Sequence, residues 1–393
     1  LASGDGTEIP LGFPTAAEAA KVSPTRPAWA PQDHLEPLLH AVLRTLPKAD
    51  VRFRCEVVGL GQDDDGVHAV LRERESGRTQ PLDALFVIAA DGAHSTVRNH
   101  LGIRMEGRDD LAEYHRVEFR APLAEVAGER RYGLYVITRP DAAGVLAPRG
   151  PDDRWAFSWE RSPGQPRYVD YRDEQLLELI GLAAGVPRLE PRIERQSVFS
   201  FAAQIAERYR EGRGFLVGDA AHRMTPRGGT GMNTAIQDAY DLGWKLAWVL
   251  QGWADVDLLA SYETDRRPVG LHNVHRASDP DGARRDAEEA LPWDLNGRLD
   301  HHWIRQGNGT LSTLDLVGEG LTLLAGPGDS RWAAAGTTLG HRAPLVAHTL
   351  DADTAHALGL EPGGAILVRP DGRPVRVWPN FTAFLDSGPL TGV

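Results

Sequence analysis

The stretch Gly214-Phe-Leu-Val-Gly-Asp-Ala-Ala-His-Arg-Met-Thr-Pro-Arg-Gly-Gly-Thr-Gly-Met-Asn233 decides how the rest of the chain is read. It has four parts. A short apolar strand ends at Gly218-Asp219, which puts a carboxylate at the strand's carboxyl end, where open α/β sheets bind ligands. A carboxylate there can accept hydrogen bonds from ribose-like hydroxyls. Pro226 then fixes a turn. Gly228, Gly229 and Gly231 carry no side chain, so a flat ligand can meet backbone N–H groups closely. A long helix follows over about 232–250, its positive end directed at the loop. A loose Gly-Asp pair would read as a connector with a structural Asp. The full order of strand, turn, glycines and helix suits a cofactor with hydroxyls and a ring that becomes anionic.

Outward from this stretch, the helix shows apolar residues at 232, 235, 236, 239, 240, 246, 247 and 250, with Gly243 on the same face and Gly252 just past the end. Upstream, Ala84-Leu-Phe-Val-Ile-Ala-Ala90 is an unbroken apolar run, the mark of a strand buried on both faces. Ala90-Asp91-Gly92-Ala93-His94-Ser95-Thr96-Val97-Arg98 follows it directly. Residues 31–46 carry apolar residues at helical spacing behind Pro31-Gln32, with Pro37 near the helix start. The alternating runs at 51–58 and 67–74 flank a turn at 62–66 and predict a hairpin. From 113 to 200 short strands dominate (114–120, 131–138, 144–148, 155–160), with one helix over 174–184. The tail beyond 310 holds strands at 321–324 and 365–369 and a helix near 353–358. Leu1-Ala-Ser-Gly-Asp-Gly-Thr7 reads as a hairpin tip.

Composition narrows the function classes. The 393 residues are 41% hydrophobic and 25% charged, which excludes wholesale disorder. A formal net charge of -12 opposes nonspecific binding to nucleic acid or anionic lipid. The single cysteine, Cys55, excludes an intramolecular disulfide framework and a cysteine-based zinc cluster. No run reaches the roughly 18 apolar residues of a membrane span, and no signal peptide is seen. The expectation is a cytoplasmic chain with no membrane, nucleic-acid or metal partner. His301-His302 has nothing beside it to complete a metal site. Trp155, Phe157 and Trp159 share one strand face, either a core face or the lining of a substrate cavity.

Together these segments resemble the flavin-dependent aromatic hydroxylases, the group A FAD monooxygenases related to para-hydroxybenzoate hydroxylase and phenol hydroxylase. The 214–233 string is similar to the family's second FAD signature, 90–98 to its central Asp-Gly motif, and Pro31-Gln32 to its flavin-contacting Gln. The tail resembles the thioredoxin-like C-terminal domain of the subset that hydroxylates polyketides and other bulky aromatics. The resemblance implies an α/β fold, α+β overall: a Rossmann-like FAD domain, a β-sheet substrate domain and the thioredoxin-like tail. The boundaries expected are 1–112 and 201–278 for the FAD domain, 113–200 for the substrate domain, 279–309 for a linker and 310–393 for the tail.

The resemblance also implies the chemistry. FAD is the cofactor, NAD(P)H and O2 are co-substrates, and a bulky phenolic or polyketide-type aromatic is hydroxylated by a C4a-hydroperoxyflavin. No catalytic side chain is implied, because the flavin carries the reaction. Carried over by position, Gly218 and Asp219 would bind the ribityl chain. Gln32 would bind near the ribityl or pyrophosphate, or else cap its helix. Asp91 and Gly92 would order the loops around the cofactor and the NAD(P)H approach. Arg98 would be a basic contact or a surface ion-pair residue. Pro226 and the backbone of Gly228, Gly229, Gly231, Met232 and Asn233 would line the isoalloxazine ring, with Pro226 also facing substrate. His94 and His222 read as loop-ordering residues. The tail lacks cysteine, which excludes dithiol exchange and leaves a structural or homodimerisation role.

One family feature is missing. No strand, Gly-x-Gly-x-x-Gly turn and helix occurs in the chain. The expectation is a chain that starts inside a domain, short by on the order of 100 residues. The alternatives are a unit supplied by another polypeptide, or a truncated, flavin-free pseudoenzyme or interaction subunit. Within the enzyme class, the alternative is Baeyer–Villiger-type oxygen insertion.

Overall fold

A computed structural model describes residues 14–28, 30–150, 152–161, 171–186, 188–279, 292–306, 309–335 and 341–387. The expected hairpin tip at 1–7 and much of the 279–309 linker lie outside the described residues. In chain order the elements are α1 (Ala16–Val22), α2 (Gln32–Leu43), β1 (Cys55–Gln62), β2 (Val67–Glu73), β3 (Thr79–Ala84), β4 (Val87–Ala89), α3 (Thr96–His100), β5 (Met105–Arg120) and α4 (Leu123–Ala127). Then come β6 (Tyr135–Ile137), β7 (Gly144–Pro148), β8 (Arg154–Glu160), α5 (Asp173–Ala184), β9 (Arg192–Ala206), β10 (Arg210–Glu211), β11 (Gly214–Leu216), β12 (His222–Arg223), α6 (Gly231–Leu250) and α7 (Ser261–Ser278). The tail carries β13 (Trp303–Gln306), β14 (Gly309–Ser312), β15 (Leu321–Ala325), β16 (Leu345–Thr349), α8 (Ala352–Ala357), β17 (Ala365–Val368), β18 (Pro374–Trp378) and α9 (Phe381–Leu385). The chain folds as two compact units, one holding 28–55 and 107–203, the other 10–27, 56–106 and 204–393.

The first unit is built on an antiparallel sheet in the order β9-β5-β8-β7-β6. Alternate residues of a strand face the same side. In β8 that puts Trp155, Phe157 and Trp159 together, at 4%, 0% and 7% exposure. They pack with Val117, Phe119 and Leu146 of the sheet and with Leu176 and Ile180 of α5. The aromatic face is therefore packed in the core of this unit. Asp33 of α2 accepts a hydrogen bond from Arg154 Nη1 at 2.7 Å, which ties α2 to β8. The α2 helix forms where the spacing predicts it. Its apolar stripe is open, however, with Leu38, Leu39 and Val42 all exposed and no residue of the helix buried.

The second unit contains the deciding stretch. Here β4 and β11 are parallel neighbours, in register Gly214↔Val87, Phe215↔Ile88 and Leu216↔Ala89. Burial on both faces was expected of the 84–90 run, but Ile88 is 47% exposed. The run divides between β3 and β4, and β4 is the edge of the three-stranded sheet β10-β11-β4 among the described residues. A second sheet, β1-β2-β3, contains the expected hairpin. In the tail, the sheet order is β16-β15-β17-β18, with β15 parallel to β16 and antiparallel to β17. With α8 between β16 and β17 and α9 after β18, this is a thioredoxin-like arrangement.

The buried residues of α6 are mostly not its apolar positions. Met232, Ile236, Tyr240 and Leu250 are exposed, while Thr234, Asp238, Asp241, Leu242, Trp244, Lys245, Leu246 and Trp248 are buried. Periodicity fails here because the buried charges are paired, and a paired charge can be buried where a lone one cannot. Lys245 Nζ donates to Asp241 at 2.7 Å and to Asp265 of α7 at 2.8 Å. Asp265 also accepts from Arg369 and Arg373 in the tail. The two tryptophans share a core with Leu321, Leu323, Trp332, Leu367 and Trp378, so α6 and the tail sheet are packed as one body.

This charge cluster predicts a pH dependence. Burial raises the Asp241 carboxyl from 3.8 to about 6, with Lys245 opposing the rise. Its folded-state value lies above the unfolded one, so the folded chain holds the proton more tightly. Stability therefore falls as pH rises from about 4 through 6. Asp265 is also pushed up by burial, but Lys245, Arg369 and Arg373 hold it at about 2, so its contribution is lost only as pH falls below about 4. In urea titrations, Asp241→Asn is expected to gain on the wild type by about 2 kcal/mol between pH 4.5 and 7. A stability difference that does not change with pH would refute this.

Candidate cofactor-binding site

The site begins where two parallel strands end. Val217 N donates to Ala89 O at 3.0 Å, the last rung between the strands before the chain leaves β4 and β11 as two adjacent loops. Both loops therefore sit at carboxyl ends of parallel strands, the place where such sheets bind ligands.

In the first loop Gly92 has a φ of 82°. The Asp91 carboxylate accepts from Val97 N at 3.0 Å and from the Ser95 hydroxyl. Ser95 Oγ in turn accepts from Arg98 N at 2.9 Å, capping α3. Asp91 thus shapes its own loop. Arg98 is buried, at 6% exposure, which removes the alternative of a surface residue. Its Nη2 donates to Ala93 O and its Nη1 to Ala220 O, each at 3.1 Å. His94 is exposed.

The second loop turns at Gly218, with a φ of 58° and its N–H donating to Asp238 at 3.3 Å. A Cβ here would come within 3.1 Å of the Ala235 Cβ. Asp219 follows, an exposed residue between the buried Gly218 and Ala220. Beneath the turn, His222 Nε2 and Asp238 Oδ2 are 2.6 Å apart, and Arg266 Nε donates to Asp238 Oδ1 at 2.9 Å. All three residues are at most 1% exposed, so His222 is a packed, loop-ordering residue. Sequence reasoning missed Asp238 and Arg266. The one available signal was polar residues interrupting the long apolar-spaced helix.

The glycine loop comes next. Pro226 is exposed, and Gly229 N donates to Pro226 O at 3.1 Å. Gly228 and Gly229 have φ of 77° and 61°, two successive left-handed residues that side chains would strain. The α7 helix holds the loop down. Thr225 Oγ1 donates to Ala277 O at 2.6 Å, Arg276 Nη2 to Thr230 Oγ1 at 2.9 Å, and Asn273 Nδ2 to Thr234 Oγ1 at 3.0 Å. At the start of α6, Thr230 makes no side-chain cap, and Met232 and Asn233 are exposed. The first N–H groups of Gly231, Met232 and Asn233 lack intrahelical partners and carry the helix's partial positive charge.

An exposed carboxylate, an uncapped helix start and a glycine turn with Gly229 exposed form a donor and acceptor set. It fits a ligand with hydroxyls at one end and a flat, electron-accepting ring at the other. The profile of the family described as an FAD binding domain matches residues 6–277. The profile described as aromatic-ring hydroxylase, C-terminal, matches residues 295–375. The chain belongs to the FAD-dependent aromatic-ring hydroxylases.

The relatives agree. Tetracenomycin A2 monooxygenase-dioxygenase of Streptomyces glaucescens is 33% identical over 412 residues, covering 90% of this chain and 73% of the relative. Aklavinone 12-hydroxylase DnrF of Streptomyces peucetius is 34% identical over 346 residues, covering 78% of this chain and 70% of the relative. The crystal structure of a ternary complex of aklavinone-11 hydroxylase with FAD and aklavinone superposes with a TM-score of 0.84 at 32% identity, over 93% of this chain and 78% of that one. The hydroxylase fold thus brings together Asp91, Gly92, Arg98, Gly218, Asp219, Pro226, Gly228, Gly229, Gly231, Met232 and Asn233 within the second unit. Gln32 belongs to the first unit. It is the first residue of α2, behind Pro31 as N-cap, and its Nε2 donates to Glu36 at 2.6 Å, so it does not cap the helix. No helix among the described residues is long and apolar enough to cross a membrane.

Proposed function

We propose that this hydroxylase inserts one oxygen atom of O2 into a bulky phenolic or polyketide-type aromatic, with NAD(P)H as reductant. The net reaction converts the aromatic C–H, O2, NAD(P)H and a proton into the phenol, water and NAD(P)+. FAD, when bound, supplies the redox chemistry that joins hydride transfer to oxygen activation. The relatives that act on tetracenomycin and aklavinone scaffolds support the substrate class. The observation that carries the reading is the exposed Asp219 at the end of β11 beside the uncapped start of α6.

In this reading Asp219 accepts hydrogen bonds from the ribityl hydroxyls. The N–H groups of Gly231, Met232 and Asn233 would supply donors to a ring on which negative charge develops. Gly228 and Gly229 would let the ring approach the backbone closely, and Pro226 would contact ring and substrate. The Asp238–His222–Arg266 cluster keeps the turn beneath Asp219 rigid, so the carboxylate is presented without reorganisation.

A flavin absorption spectrum after addition of FAD tests the proposal directly. A colourless chain that takes up no FAD would refute it. Asp219→Ala is expected to weaken FAD binding about 10- to 100-fold, the worth of one or two charge-assisted hydrogen bonds. The melting temperature of the free protein should not change, because Asp219 is exposed and bonds nothing among the described residues. Unchanged FAD affinity would remove Asp219 from the site.

A further inference from the structure

We propose that Arg116 of β5 and Arg149, directly after β7, form an anion-binding subsite on the face of the first unit's sheet opposite its aromatic core, and that this subsite holds a carboxylate borne by the aromatic substrate. The binding part stands on this unit alone. Its meaning for hydroxylation rests on the reading above, whose substrate class it narrows to an aromatic acid.

One side of the sheet is filled by Trp155, Phe157 and Trp159 with Leu146 and Val117. Strand pairing fixes what the other side presents, because directly opposed residues share a face. Arg116 lies across from Ser158, and Ser158 from Val145. In the next row Glu118 lies across from Ala156, and Ala156 from Ala147. Both rows therefore carry small side chains on β7 and β8 and a long charged one on β5. Along β5, Tyr114, Arg116 and Glu118 are half-buried, while His115, Val117 and Phe119 are buried. Tyr114 stacks on Phe199 of β9 with centroids 5.6 Å apart, and the Arg116 guanidinium lies 5.8 Å from the centre of the Phe199 ring. A floor of small residues with an aromatic and cationic border suits a flat ring that carries an acid group.

Unspent charge sets this face apart. Arg154 donates to Asp33 at 2.7 Å and to Glu194 at 3.2 Å, and Arg120 donates to Glu194 at 2.5 Å. By contrast, neither the Arg116 nor the Arg149 guanidinium donates a hydrogen bond to any described residue, and both Nε atoms are buried without a partner. Glu118 Oε1 is 3.9 Å from Arg116 Nε and 3.8 Å from Arg149 Nη2, and Asp33 Oδ1 is 3.6 Å from Arg149 Nη2. These are ion-pair distances, too long for hydrogen bonds. The two side chains are only 31% and 21% exposed. A guanidinium drawn out of water normally recovers the cost through bonds to an acceptor, and here that recovery is left to a ligand. Burial, Arg149 and Arg195 work against the Arg116 charge, and Glu118 favours it. Glu118 balances one of the two charges and leaves the other. A planar carboxylate can take paired donors from one guanidinium fork and a further donor from the second.

The experiment measures binding of a fluorescent hydroxynaphthoate and of its uncharged carboxamide to the full chain, with and without FAD. Wild type is expected to prefer the acid by about 10-fold or more, with the preference shrinking as salt is raised. Arg116→Gln and Arg149→Gln should each remove most of that preference by weakening the acid, leaving the carboxamide within about 3-fold of wild type. Arg116→Lys should keep only part of it, as a point charge without the fork. The melting temperature of the ligand-free chain should not fall in either Gln variant, since neither guanidinium donates a hydrogen bond. Equal wild-type affinity for acid and carboxamide would overturn the proposal, as would a preference that both Gln variants retain. A preference lost only together with a lowered melting temperature would make these arginines structural and overturn it too. If the acid is preferred and no FAD is taken up, the proposed function fails and the subsite stands. If FAD is bound and the acid is not preferred, the subsite falls and the proposed function stands.

Discussion

Replacing Asp238 by Ala is expected to destabilise the folded chain by about 3–5 kcal/mol, the cost of stranding a buried charge. Asp238 is 0% exposed and accepts from Arg266, His222 and the Gly218 N–H. Its loss leaves the Arg266 guanidinium, 1% exposed, without its carboxylate. It also frees the Gly218 turn from its anchor. Equilibrium denaturation measures the loss. The double variant Asp238→Ala/Arg266→Met should recover part of it, because both charges are then gone and their coupling term is isolated. A single-variant loss below about 1 kcal/mol would mean that the cluster is not the buried ion pair described.

Trp248→Ala should cost a similar amount, about 3–5 kcal/mol, by a different mechanism. The Trp248 ring is 1% exposed and packs edge-on to Trp244 at 5.0 Å between centroids. Its Nε1 donates to Glu319 O at 2.8 Å. Truncation opens a cavity in the core shared by α6 with Leu321, Leu323 and Trp332, and leaves the Glu319 carbonyl without that donor. The same helix begins at the glycine loop, so the damage should reach the cofactor end. Flavin release and loss of tail structure should coincide in a denaturant titration. A tail that unfolds separately, with flavin retained, would refute the shared core.

Much of the architecture was legible because it depends on local rules. The strand ending at Gly218-Asp219, the glycines and the helix appear as β11, a turn with positive-φ glycines, and α6 over Gly231–Leu250. The helix at 174–184 appears as α5, and the strand at 144–148 as β7. The run at 131–138 shrinks to β6 over Tyr135–Ile137, since only those residues find partners in β7. The long β9 went unread because its exposed and buried positions do not alternate cleanly.

The candidate site divides in the same way. Which residues carry loops near a ligand was readable from glycine and proline placement, because backbone conformation is a near-neighbour property. What Arg98 does was not readable, since its partner Ala220 lies 122 residues away and offers only a carbonyl. Nor was the buried face of α6. Its face is set by Arg266 and Asp265 on α7 and by Arg369 and Arg373 in the tail.

By itself, then, the sequence determined the motif order, the family and the conformations of the turns, each encoded within a few consecutive residues. Only the tertiary structure decided which charges are buried, which loops are fastened together and which aromatic face is core. Those outcomes depend on partners far away in the chain, and burial of a charge is favourable only once its partner is in place.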